Sequence, residues 1–135
     1  MKILIIDDSS YKLEAIKAIL QSFDSSYEID TASCRNVGLR KLLEGYDLLI
    51  LDNCFPIMED SAPKKDMGLN VLHDISLSMR FDEIRKNLKI IVCSSDEIDV
   101  SDYILFSTFT VSLPFDNGKP KEKSGIIVFG KVLAF

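Results

Sequence analysis

Residues 2–8 read Lys-Ile-Leu-Ile-Ile-Asp-Asp, and residues 48–52 read Leu-Leu-Ile-Leu-Asp. Both segments are short, continuous apolar runs that end in aspartate. Such runs are typical of strands buried on both faces of a parallel sheet. Ligands bind to sheets of this kind at the carboxyl ends of the strands. The sequence therefore predicts that Asp7, Asp8 and Asp52 meet at one edge of a single sheet.

Three carboxylates at one sheet edge repel one another, and they stay charged at neutral pH only when a positive charge joins them. Mg²⁺ is the expected partner because it prefers oxygen ligands. A simpler interpretation also exists for each segment. Asp7 to Ser10 before a helix is a pattern of N-terminal capping, and Asp52 followed by Asn53 and Pro56 is typical of an ordinary turn.

The rest of the chain alternates between strand-like and helix-like patterns, which predicts an α/β fold with a doubly wound, five-stranded parallel sheet and about five helices. The last predicted helix spans residues 124–135, although residues 126–129 fit a strand equally well. We expect strands at 2–6, 27–32, 47–51, 88–93 and 108–112, and helices at 10–23, 36–44, 68–80, 98–106 and 124–135.

The composition of the 135-residue chain, with 47% hydrophobic and 27% charged residues, is typical of one globular domain, here residues 1–135. A net charge of −5 argues against binding to nucleic acid or to an anionic membrane. The chain begins with a strand rather than a signal peptide, and its three cysteines match no zinc or disulfide pattern, so we expect a cytoplasmic protein. The apolar residues at 133–135 end the chain abruptly, which is compatible with a longer natural protein.

In order and spacing, these features resemble the receiver domain of bacterial two-component response regulators, which has a flavodoxin-like fold. The resemblance covers nearly the whole chain. It rests on Asp7-Asp8 after the first strand, Asp52 after the third, the Asn53-Cys54-Phe55-Pro56 turn, Gly68-Leu69 at a helix start, Ser94 after the fourth strand and Pro114-Phe115 after the fifth.

The resemblance implies a role for each residue of the site. Asp52 would accept a phosphoryl group and form an acyl phosphate, and Ser94 would donate its hydroxyl to a phosphoryl oxygen. Asp8 would bind Mg²⁺ directly, and Asp7 would assist through water. Asp52 and the backbone carbonyl of Cys54 would complete the metal ligands from the protein.

The sequence departs from the receiver pattern at the end of the fifth strand. Leu113 stands where receivers have a lysine, and Thr110 stands where they commonly have an aromatic residue. Without that lysine we expect strong metal dependence and poor coupling of phosphorylation to a conformational switch. Loop lysines are candidates to replace it, although solvated side chains are the simpler interpretation: Lys64, Lys65, Lys119, Lys121 and Lys123.

A second departure is the connection at residues 57–67, which is longer than in the family. It lies beside the predicted site, and the insert from Met58 to Lys65 contains one proline, two acidic residues and two lysines. A lid, a partner-specific surface and a neutral insertion are all compatible with this composition.

The leading hypothesis is a phosphorelay signalling receiver. It would take its phosphoryl group from a histidine kinase or a phosphotransfer protein and would act by binding a downstream protein partner. It would not be an enzyme beyond its own phosphorylation and autodephosphorylation. The alternatives are a pseudo-receiver that binds partners without phosphorylation, and a Mg²⁺-dependent phosphatase or nuclease with an acidic site. The latter lacks an Asp-x-Asp pair after the first strand, a general base and a basic surface.

Overall fold

The computed structural model describes residues 1–94, 108–111 and 125–129, with the backbone alone for Ser94 and the two later segments. The strands are β1 (Lys2–Ile6), β2 (Glu28–Ala32), β3 (Leu48–Asp52), β4 (Lys89–Ser94), β5 (Thr108–Val111) and β6 (Gly125–Phe129). The helices are α1 (Ser10–Phe23), α2 (Arg35–Leu42), α3 (Met67–Leu77) and α4 (Asp82–Arg85), with a 3₁₀ turn at Met79–Phe81.

The strands form one sheet in the order β2-β1-β3-β4-β6-β5. The first four strands in this order are parallel. Their register places Ile6 level with Leu51, and Asp52 level with Cys93. Because parallel strands carry their ends to the same edge, the residues that follow β1 and β3 lie side by side. The α/β class and the parallel central sheet are therefore as the sequence predicts.

The prediction of five parallel strands is wrong. Strand β6 pairs antiparallel with β4 on one side and with β5 on the other, so the described sheet has six strands and is mixed. The segment Gly125–Phe129 lies where a closing helix was expected. Its run of β-branched and aromatic residues favours a strand, and a short apolar run cannot be assigned by periodicity alone.

The two faces of the sheet are covered by different helices because side chains alternate along each strand. Ile3 and Ile5 pack on the face that α1 covers, through Leu13, Ile16 and Leu20. Leu4 and Ile6 point to the opposite face, which α2 and α3 cover. The core of that second face also includes Leu39, Leu42, Leu49, Leu51, Phe55, Val71, Leu72, Ile75, Phe81 and Leu88.

The helical spacing of Leu13, Ile16, Ile19, Leu20 and Phe23 predicts that all five lie on the buried face of α1, and this prediction is partly wrong. Ile19 and Phe23 are 56% and 78% exposed. The sheet contacts α1 along residues spaced three and four apart, which leaves the neighbouring ridge of the helix at the surface. The limits of this helix, Ser10–Phe23, are as predicted, and Ser9 is its N-cap.

The third helix is shorter than predicted. It ends at Leu77 because Ser78 has an extended backbone. The helical spacing of Leu69, Leu72, Ile75 and Met79 predicts one buried face, but Met79 is 84% exposed. The guanidinium of Arg85 donates hydrogen bonds to the carbonyl oxygens of Ile75 (2.6 Å) and Ser78 (3.1 Å). These bonds satisfy the end of α3 and hold the short α4 against it. The helix expected at 98–106 lies outside the described residues.

Candidate functional site

Asp7, Asp8 and Asp52 lie together at the carboxyl edge of the sheet, where β1 and β3 end. One carboxylate oxygen from each lies within 4.8 Å of those from the other two. Asp7 and Asp52 are only 3% and 7% exposed, whereas Asp8 is exposed. The cluster therefore has a buried pair of carboxylates and a third at its open side.

Backbone N–H groups stabilise both buried carboxylates. The Ser9 N–H donates to Oδ1 of Asp7 at 2.9 Å, and the Cys54 N–H donates to Oδ2 of Asp52 at 3.3 Å. The capping interpretation of Asp7 to Ser10 is confirmed in part: Ser9 is the N-cap of α1, and its Oγ accepts the Lys12 N–H at 3.3 Å, so neither aspartate is the cap. Asp7 and Asp8 remain available to a ligand at the sheet edge.

A cation that the sequence analysis missed lies beside this cluster. Nζ of Lys12 is 3.7 Å from Oδ2 of Asp7 and 3.7 Å from Oδ1 of Asp52. Lys12 belongs to the first turn of α1, four residues after Asp8. This position in the sequence could have predicted the contact, because the first turn of the helix after β1 must lie close to the end of β1.

The loop lysines that were considered instead do not fill this place in the described structure. Lys64 and Lys65 are exposed, and neither forms an ion pair with a described residue. The other three, Lys119, Lys121 and Lys123, lie outside the described residues. Lys12, rather than a loop lysine, therefore offsets part of the charge of the three carboxylates in the described structure.

The electrostatics of the site follow from burial. Burial raises the pKa of Asp7, and the Ser9 N–H partly offsets it. Burial also raises the pKa of Asp52, against the opposing charge of Lys12. For Lys12, partial burial opposes the charged form, but Asp52 and Asp7 outweigh it and raise its pKa. Two buried carboxylates share one half-exposed ammonium, so the site holds an excess of negative charge that favours a cation.

The residue after Asp52 anchors the site to α3. The buried Asn53 accepts the Leu69 N–H through Oδ1 (3.3 Å) and donates from Nδ2 to Asp66 (3.1 Å). Its carbonyl oxygen accepts the Met67 N–H at 3.0 Å. Asp66 itself has a left-handed backbone, with φ of 61°. The turn interpretation of Asp52-Asn53 is thus incomplete, because Asn53 fixes the end of β3 against the start of α3.

Backbone hydrogen bonds hold the long connection after Asp52 near both of its ends. Phe55 and Lys64 form an antiparallel bridge. The carbonyl oxygens of Pro56 and Ile57 accept the N–H groups of Arg35 (2.9 Å) and Asn36 (3.0 Å) at the start of α2. Cys34, the N-cap of α2, makes no side-chain capping hydrogen bond. The connection therefore supplies the acceptors that the first turn of α2 needs.

Cys54 and Ser94, the remaining predicted site residues, lie at the carboxyl ends of β3 and β4. Cys54 follows Asp52 and is exposed. Ser94 ends β4, one residue beyond Cys93, which is level with Asp52; its backbone pairs with Gly125. Its side chain, and all of Leu113, lie outside the described residues. Burial, with a contribution from Asp52, raises the pKa of the Cys93 thiol to about 11, so this neighbour of Asp52 stays uncharged at neutral pH.

The donor set suits a hard cation, because every side-chain ligand atom in the cluster is a carboxylate oxygen. Among the described residues, no helix combines the length and the apolar character that crossing a membrane requires.

No known protein-family model matches the chain. A search of curated proteins likewise finds no similar sequence.

Proposed function

We propose that this protein is a receiver-type signalling module that accepts a phosphoryl group on Asp52. One observation carries the proposal: a nearly buried carboxylate at the end of a central strand lies within 4.8 Å of two further carboxylates and 3.7 Å from an ammonium group. The order β2-β1-β3-β4 is compatible with a flavodoxin-like fold, in which ligands bind at this edge. Histidine kinases or phosphotransfer proteins are the donors that this chemistry fits.

The geometry supports nucleophilic attack by Asp52. Its Oδ2 accepts the Cys54 N–H and its Oδ1 faces Lys12, so the carboxylate is held in one orientation. In the proposed step, a carboxylate oxygen bonds to phosphorus, the bond between phosphorus and the donor's leaving atom breaks, and that atom keeps the electron pair. The nucleophile is the carboxylate form of Asp52, so this step takes no proton from it.

The fit of a divalent cation is part of the proposal. Asp7, Asp8 and Asp52, with the backbone carbonyl of Cys54, are the groups that would hold Mg²⁺. When bound, Mg²⁺ neutralises charge on the transferring phosphoryl oxygens. Asp7 and Asp52 are buried and positioned by backbone donors before any ion arrives, so the protein's own residues provide a preorganised oxygen cluster.

The proposed output is the binding of a downstream protein. A phosphorylation-independent pseudo-receiver is the second candidate, and one observation favours it. Strand β6 lies between β4 and β5, so the strand that contains Thr110 is not hydrogen-bonded to the strand that ends at Ser94. A switch that needs β4 and β5 to be neighbours is unavailable in this arrangement.

The test is a titration with beryllofluoride, a stable mimic of a phosphoryl group on carboxylate, followed by backbone amide NMR. We expect Mg²⁺-dependent shifts at residues 52–54 and 7–9 in the wild type and no beryllofluoride-dependent shifts in Asp52→Asn. A wild-type spectrum unchanged by beryllofluoride at millimolar Mg²⁺, with partner binding intact, would favour the pseudo-receiver. Turnover of a generic phosphate ester that Asp8→Ala abolishes would instead indicate a phosphatase.

A further inference from the structure

Lys12 is placed so that one ammonium group bridges the two buried carboxylates of the site. Its Nζ lies at the same distance, 3.7 Å, from Oδ2 of Asp7 and from Oδ1 of Asp52. The Lys12 side chain is 52% exposed, whereas those of Asp7 and Asp52 are 5% and 9% exposed. A half-exposed cation at the surface therefore reaches two buried anions beneath it.

The distances show that these are loose ion pairs. Charge-assisted hydrogen bonds between ammonium and carboxylate measure about 2.7–2.9 Å, so Nζ sits between the two acceptors rather than against either one. A lysine ammonium on a flexible stem can turn toward a new acceptor at small cost. A phosphoryl group on Asp52 would supply three new acceptor oxygens and additional negative charge at this point.

We propose that Lys12 is a positioning residue for the phosphoryl group: it holds Asp52 before transfer and pairs with the phosphoryl oxygens afterwards. This inference rests on the proposed function. Lys12 on α1 would then provide the positive charge that receivers have at the position of Leu113. With acetyl phosphate as the donor, an Asp52 oxygen bonds to phosphorus, the bond from phosphorus to the acetyl oxygen breaks, and acetate leaves with the electron pair.

A chain of contacts links this lysine to the start of α1. The Ser9 N–H donates to Asp7, the Ser9 Oγ accepts the Lys12 N–H, and the Lys12 ammonium faces Asp52. When a phosphoryl group on Asp52 becomes the partner of the Lys12 ammonium, the environment of the first turn of α1 therefore changes. Amide signals from residues 9–12 are expected to report phosphorylation directly.

The test compares Lys12→Gln and Lys12→Arg with Lys17→Gln, a matched control on the same helix. Lys17 pairs with Glu14 at 3.9 Å and makes no ion pair with the three aspartates. Phosphorylation by acetyl phosphate with Mg²⁺ is followed by intact mass. We expect Lys12→Gln to slow it about tenfold or more, as loss of one preorganised charge contact does, while Lys12→Arg and Lys17→Gln stay within about threefold of wild type.

A second readout separates this role from general damage to the site. Removing the competing ammonium leaves more negative charge for a cation, so Lys12→Gln should bind Mg²⁺ about fivefold more tightly while being phosphorylated more slowly. A variant with a damaged fold would lose both properties together.

Each outcome has a defined meaning. Phosphorylation of Lys12→Gln at the wild-type rate, or weakened Mg²⁺ binding in that variant, would overturn the role of Lys12 and leave the proposed function standing. Absence of phosphorylation in the wild type would overturn the proposed function and this inference with it. Slower phosphorylation together with tighter Mg²⁺ binding would support both.

Discussion

A methyl group at Gly68 would lie 2.4 Å from the backbone carbonyl oxygen of Asp52. The start of α3 therefore contacts the end of β3 at backbone distance. The same methyl group would be 2.9 Å from Cα and 3.0 Å from Oδ1 of Asn53. Glycine is required here by close approach, since any larger residue would push the helix away from the strand end that carries the proposed phosphoacceptor.

Gly68→Ala is expected to destabilise the protein by about 1–3 kcal/mol, the usual cost of overpacking a tight site. Gly38→Ala is a useful comparison. There the nearest atom is the tip of the Ile6 side chain, at 2.5 Å, which can rotate, and alanine favours a helix more than glycine does. Urea unfolding of both variants should show the larger loss for Gly68→Ala. An equal or smaller loss would mean that α3 moves freely relative to β3.

Arg85→Ala is expected to cost about 2–3 kcal/mol, because it leaves the carbonyl oxygens of Ile75 and Ser78 without their charged donor. The matched control is Lys86→Ala, which removes only a surface pair with Glu83 and should change stability by less than about 0.5 kcal/mol. The free energies of unfolding in urea give both values. Similar small losses for the two variants would contradict the role of Arg85 at the end of α3.

The pKa of Asp7 is raised mainly by burial, and this predicts how stability depends on pH without metal. Between the ordinary carboxyl pKa and the raised one, the folded protein binds a proton that the unfolded chain has released. Stability therefore falls as the pH rises through that window and levels off above it. Asp7→Asn keeps an acceptor for the Ser9 N–H and removes the buried charge. We expect a flatter pH profile and a gain of about 1–3 kcal/mol at neutral pH.

Urea unfolding in EDTA across the acidic to neutral range measures this effect. Asp8→Asn, at the exposed member of the cluster, should change the profile less. Added Mg²⁺ should stabilise the wild type more than Asp7→Asn, because the variant lacks one of the negative charges that attract the ion. A metal-free Asp7→Asn variant that is less stable than wild type at neutral pH would show that the pair with Lys12 outweighs the cost of burial.

The elements that the sequence predicted well are those with one dominant local signal. The limits of β1 and α1 agree with the structure, and so does N-terminal capping within residues 7–10, because an apolar run, a capping serine and a helical period all coincide there. The grouping of Asp7, Asp8 and Asp52 followed from strand polarity alone. These features needed no knowledge of which strand pairs with which.

The errors arose where the outcome depends on tertiary contacts. Gly125–Phe129 is apolar enough for either a helix or a strand, and pairing with β4 decides between them. Ile19 and Phe23 share a helical period with the partly buried residues of α1, but the position of the helix on the sheet leaves them exposed. Lys12 was overlooked because a charged residue in a first helical turn ordinarily points to solvent.

The central claim is that Asp52 accepts a phosphoryl group, and intact-mass spectrometry with peptide mapping tests it most directly. The wild type and Asp52→Asn are incubated with acetyl phosphate and millimolar Mg²⁺, with EDTA as the control. We predict that the wild type gains one phosphoryl group on Asp52 in Mg²⁺, loses that gain in EDTA, and that Asp52→Asn gains none. An unmodified wild-type protein in Mg²⁺, or a modification that persists in Asp52→Asn, would contradict the account.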